Sequence, residues 1–245
     1  MDEYLDRYEY ADLLKRRMAD CSRGRVRYVA RDDDMDYPVL GLHLLESHGP
    51  GFTSQDVAST WLDRLPYNLV YTAERVAYRN LVNGASPPES ATYRNPFREW
   101  IGAQIRADIM GYVCPGWPEK AAEFAYRDAT VSHVKNGVYG EMFVAAMLAA
   151  AFVTDEVEEV IRIGLSEIPA SCRLAEAIRD TVAWSRQLAD WEKVWDKINE
   201  KYGRYHAVHT INNAALVVMA LMAGCLLYTS PSPRDLSTSR MPSSA

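Results

Sequence analysis

The chain is poor in the residues and runs that announce several common functions. Cys21, Cys114, Cys172 and Cys225 are its only cysteines and form no CxxC pair. That spacing excludes a zinc ribbon or a disulfide framework and suits a reduced compartment. There is no basic excess: 27 Lys and Arg stand against 33 Asp and Glu, a net charge of -6. With no basic run either, a surface for duplex nucleic acid is excluded, since phosphate binding is driven by Lys and Arg. Long apolar runs are also missing. "MFVAAMLAAAFV" (142–153) and "AALVVMALMAGCLLY" (214–228) stop short of the roughly 18 to 20 apolar residues that a spanning helix needs. No membrane association is expected, and both runs are predicted to be helices buried on all sides. The opening "MDEYLDRYEYADLLKRRM" has no apolar signal core, so the expected location is cytoplasmic.

Helical periodicity fills most of the chain. Tyr4, Tyr8, Ala11, Leu14 and Met18 recur at three and four residues and predict a helix over 2–18. Thr53 or Ser54 can cap "QDVASTWLDRL", Thr72 or its predecessor can open "AERVAYRNLV", and Pro118 suits the first turn of "PEKAAEFAYRDA". A buried helix is expected from Tyr139 to Val153, and Thr154 should cap the acidic start of the next. "CRLAEAIRDTVAWSRQLADWEKVWDKINEKY" reads as one long helix with Trp184, Leu188, Trp191 and Trp195 on one side. Strand alternation and internal repeats are absent from the sequence. The expected fold is all-α, a single multi-helix domain over 1–224. From 225 to 245 the chain turns to Ser, Pro, Thr and Arg without periodicity; this stretch resembles translated adapter sequence and is expected to be a disordered, non-native tail.

What is present in excess is acid at one point. "RDDDMDYPVLGLHLLE" (31–46) sets Asp32, Asp33, Asp34 and Asp36 just before an apolar helical run. Helix capping and the helix dipole account for one or two of them. Four together repel one another, and clustered hard oxygens are the usual ligands of a divalent cation. Asp32, Asp33 and Asp36 also fit the DDxxD pattern of isoprenoid synthases, although the acids precede the apolar helix here rather than closing one. His206 and His209 in "HAVH" have a spacing that zinc can use, but no Glu or third ligand accompanies them. Arg106 can simply pair with Asp108 or another acid.

Three segments in order carry a resemblance: "RDDDMDYPVLGLHLLE", then "REWIGAQIRADIMGYVCPGWPEKAAEFAYRDATVSHVKNGVYGEMFVAAMLAAAF", then "YHAVHTINNAALVVMAL". Together they resemble the ADP-ribosylglycohydrolase family. The resemblance implies an all-α fold with a binuclear Mg²⁺ site, in which Asp32, Asp33, Asp34 and Met35 stand at the family's Thr-Asp-Asp-Thr motif. It makes Asp32, Asp33 and Asp34 metal ligands and gives Asp33 and Asp34 the catalytic role. "IGAQIRAD" occupies the place of the Gly-rich loop that cradles ADP-ribose, so Gly102, Ala103, Gln104 and Arg106 are substrate-binding candidates; "SHVKNG" adds His133.

The implied activity is Mg²⁺-dependent hydrolysis of the glycosidic bond of ADP-ribosylated substrates. The acceptor stays open between Arg, Ser and a small molecule, as does the oligomeric state. Two family parts have no visible counterpart: the amino-terminal Gly-Asp helix, and the Asp-Thr-Asp motif expected soon after residue 222. The chain as written is therefore expected to be an inactive fragment. The alternatives are a DDxxD isoprenoid synthase and a helical ADP-ribose-binding module without turnover.

Overall fold

A computed structural model describes residues 32–188 and 190–224. The predicted helix over 2–18, Cys21, Cys225 and the 225–245 tail lie outside the described residues. Eleven α-helices and no strand are found among the described residues, and the all-α expectation is met. The chain divides into two units, 1–36 and 37–245. Helix α1 (Asp33–His48) starts in the first unit with Asp33, Asp34 and Asp36 in its first turn. Its remainder belongs to the second unit, with Tyr37, Gly41 and Leu44 buried.

The second unit continues with α2 (Ser54–Arg64), α3 (Thr72–Val82), the short α4 (Glu89–Thr92), a 3-10 turn at Ile101–Arg106 and α5 (Ala107–Tyr112). It closes with α6 (Pro118–Ala129), α7 (Asn136–Ala150), α8 (Val157–Ser166), α9 (Arg173–Leu188), α10 (Trp191–Tyr202) and α11 (Thr210–Gly224). Local chemistry sets several starts. Thr53 makes a full capping box with Asp56 at the head of α2, satisfying two amides that a helix end leaves unpaired. Pro118 takes the first position of α6, as predicted.

Helix α7 is the element on which the unit is built, because it has apolar neighbours on opposite sides. Ala145 and Ala149 join the cluster of Tyr37, Phe52, Trp61, Met110 and Phe124. Phe143 and Met147 join the cluster of Ile161, Leu174, Ile178 and Ile211. Four-residue spacing puts Glu141, Ala145 and Ala149 on one face and Phe143 and Met147 on another. Each large apolar side chain withdrawn here contributes roughly 1.5–3 kcal/mol. Gly164 lets α8 approach α7 closely, since a Cβ there would lie 2.6 Å from Met147 and 2.8 Å from Phe143.

Four expectations fail. The buried helix predicted from Tyr139 to Val153 ends at Ala150, and Phe152 and Val153 stand exposed in the turn that follows. The long helix predicted from Cys172 is two helices, because the Asp190 side chain accepts the Glu192 amide and starts α10; Trp191 then stands outward, while Trp184, Leu188 and Trp195 pack on one cluster. Thr154 accepts the Glu156 amide at 3.3 Å but is not the cap, and α8 opens only at Val157. Helix α11 is not buried on all sides: Ile211, Ala214 and Val218 face inward, whereas Val217 and Leu221 are exposed. No helix among the described residues is long and apolar enough to cross a membrane.

Candidate metal and substrate centre

The acidic run opens a helix and brings together oxygens that could hold a metal ion. Asp32 sits immediately before α1, and its Oδ1 accepts the Asp34 amide at 3.1 Å. That bond, with others from Asp33 and Asp34, lowers the Asp32 pKa below its ordinary value. Burial, followed by the Asp32 carboxylate beside it, raises that of Asp33. One oxygen from each of Asp32, Asp33 and Asp34 falls within 4.8 Å of the others. The oxygens facing one another across a hard divalent cation are separated by roughly 4–5 Å, so the donor set fits such an ion in both chemistry and spread.

The second unit holds the other predicted residues, and it buries them. Ala103 is fully buried, and Gly102, Gln104, Arg106 and His133 are nearly so. The stretch at 101–106 is a 3-10 turn that runs directly into α5 rather than an open loop. Gly102 is needed by the packing of the protein itself, because a Cβ there would collide with the Glu74 carboxylate. Gln104 accepts from Thr210 at 3.4 Å and so ties the turn to the start of α11.

Arg106 is the centre of this region and is 2% exposed. Its Nε donates to Asp128 at 2.5 Å, and Nη1 donates to Glu74 and to Ser132, each at 3.0 Å. Nη2 donates to the Asp128 carbonyl at 3.2 Å and lies 3.5 Å from the Glu141 carboxylate. The guanidinium also lies over the rings of Trp61 and Tyr37, at 5.0 and 5.5 Å. Burial alone would lower its pKa, but Asp128, Glu141 and Glu74 outweigh that and raise it. The partners of Arg106 are therefore three acids from distant helices and not Asp108. Its donors are committed to protein acceptors, and the cavity beside it, about 10 Å³, has space for about one water.

His133 joins the same network through Ser132, whose Oγ lies 2.8 Å from His133 Nδ1. Ser132 also accepts from Arg106, so its hydroxyl links the guanidinium to the imidazole. The His133 Nε2 is buried and finds no partner, and burial with the nearby Arg106 charge keeps the ring neutral by pulling its pKa well below the ordinary value. Thus Arg106 and His133 share one network, with Gly102 packed against its Glu74, while Asp32, Asp33 and Asp34 form a cluster of their own in the first unit.

The "HAVH" pair is not a helical metal motif. Residues 206–209 precede α11; His206 stacks on Trp100 at 4.3 Å and His209 packs on Tyr205 at 4.6 Å. Their Nδ1 atoms accept the amides of Val208 and Ile211, each at 3.2 Å.

Sequence reasoning missed Glu74, Asp128 and Glu141. Glu141 had a visible signal, being the only charged residue in the helix "NGVYGEMFVAAMLAA". A lone acid in a buried helix needs a partner or a proton.

A family model described as ADP-ribosylglycohydrolase matches residues 6–237. No curated protein and no solved structure matches the chain significantly.

Proposed function

The chain belongs to the ADP-ribosylglycohydrolase family, and from that premise we propose that it is a Mg²⁺-dependent hydrolase of ADP-ribosylated substrates. The observation that supports this most strongly is the convergence of oxygens from Asp32, Asp33 and Asp34 at the place where the family's first metal motif is expected. The same match favours ADP-ribose over an isoprenoid diphosphate as the substrate of the acidic run.

In this reading Asp32, Asp33 and Asp34 hold the metal. A divalent cation bound there supplies a Lewis-acidic centre that orients the ribose hydroxyls and a water. Asp33 or Asp34, as a carboxylate, takes a proton from that water. The water oxygen bonds to the anomeric carbon as the glycosidic bond breaks, the bonding pair leaves with the acceptor, which takes a proton from solvent, and the negative cluster favours the positive character that develops at that carbon. The resemblance assigns Gly102, Ala103, Gln104, Arg106 and His133 to ADP-ribose itself; within the second unit Arg106 holds the turn that carries the first three. Three carboxylates binding through one oxygen each give about half of the six oxygens that Mg²⁺ takes. With Asp32, Asp33 and Asp34 as its acidic ligands, the chain holds the ion weakly and turns over almost nothing.

The test is release of ADP-ribose from ADP-ribosylated arginine and serine peptides, with and without EDTA, in the wild type and in Asp33→Ala. At most a trace of release, stopped by EDTA and in the variant, is expected. Release of equal rate in all four conditions contradicts the assignment.

A further inference from the structure

Beneath the 101–106 turn, three carboxylates surround one guanidinium with almost no access to water. Glu74, Asp128 and Glu141 are 3%, 5% and 0% exposed. If all three were ionised the cluster would carry a net charge of -2, and an uncompensated buried charge is among the costliest arrangements in a protein. Arg106 hydrogen-bonds to Glu74 and to Asp128, but it reaches Glu141 only at ion-pair distance.

Glu141 is the group left over. Neither of its oxygens finds a hydrogen-bond donor, yet its carboxyl lies within hydrogen-bonding reach of that of Asp128. Two carboxylates in contact are acceptors without a donor, and one proton turns the contact into an O–H···O⁻ bond. The groups facing Glu141 are Asp128 from α6, Arg106 at the end of the 3-10 turn and Glu74 from α3. Towards α8, α9 and α11, helix α7 presents Phe143 and Met147 to Ile161, Leu174, Ile178 and Ile211, which offer no donor. His133 sits in the same network, but its Nδ1 is held by Ser132.

We propose that Glu141 is a proton-binding site, carried as a neutral acid that donates to the Asp128 carboxylate and so positions Arg106 and the turn it closes. Burial, then the neighbouring Asp128 charge, raises the Glu141 pKa well above the usual carboxylate range, against the attraction of Arg106. An acid with a raised folded-state pKa adds no penalty below its unfolded value, and stability falls as pH rises from there through the folded value. The window opens near 4.5 and extends upward. The inference concerns folding and stands independently of the catalytic assignment.

Urea unfolding of the full chain and of Glu141→Gln, from acid to alkaline pH, tests it. Gln is isosteric with the protonated acid, so the two should be of similar stability at acid pH. Above that, the folding constant of the variant relative to the wild type should rise by up to about tenfold per pH unit, the effect of one bound proton. A ratio that stays flat overturns the proposal. Should the variant fail to fold, infrared spectra of wild type labelled with ¹³C at the glutamate carboxyl decide the matter. A carboxylic-acid band at neutral pH is expected, and its absence overturns the proposal.

Discussion

Two clusters of three carboxylates stand in this protein under opposite physical regimes. Glu74, Asp128 and Glu141 come from three helices, are buried, and surround the Arg106 guanidinium. Asp32, Asp33 and Asp34 are consecutive, and Asp32 and Asp34 are exposed. The pKa values of Asp32 and Asp33 are shifted by hydrogen bonds, burial and each other. The comparison shows that acid count alone does not identify a metal site. A cluster with a built-in guanidinium serves the fold, whereas the consecutive acids at a helix start bring together oxygens that could hold a cation from solution.

The largest expected effect breaks the buried cluster. Arg106→Met removes the guanidinium and leaves Glu74 and Asp128 without it, a change that costs on the order of 3–5 kcal/mol when one partner of a buried pair is lost. Chemical unfolding measures this, and a loss below about 1 kcal/mol would mean that the cluster is hydrated. A smaller effect sharpens the role of the turn. Gly102→Ala drives a methyl into the Glu74 carboxylate, and overpacking of this kind costs roughly 1–3 kcal/mol. The thermal midpoint should fall accordingly; Gly102→Ala combined with Glu74→Ala should recover part of that loss.

The sequence made one cluster legible and hid the other. Asp32, Asp33 and Asp34 are adjacent, so their convergence needs only the start of a helix. The all-α class was equally plain, because periodic apolar spacing and caps such as Thr53 are local signals. Glu74, Asp128 and Glu141 lie far apart in the chain, and only tertiary packing around α7 brings them to Arg106. Gly102 shows the same limit: its smallness suggested backbone approach to a ligand, but in the fold the neighbouring carboxylate already requires it. Asp190 was a readable cap inside an apparently continuous helix, masked by the strong tryptophan periodicity on either side.

The central claim is that the consecutive acids, and not the imidazoles or the buried acids, bind the metal. Calorimetric titration of Mg²⁺ into the wild type, Asp33→Ala and His209→Ala tests it most directly. Asp33→Ala should weaken binding at least about tenfold, the equivalent of roughly 1.4 kcal/mol, and His209→Ala should leave it unchanged. Equal affinity in the wild type and Asp33→Ala, or a loss confined to His209→Ala, would contradict the account.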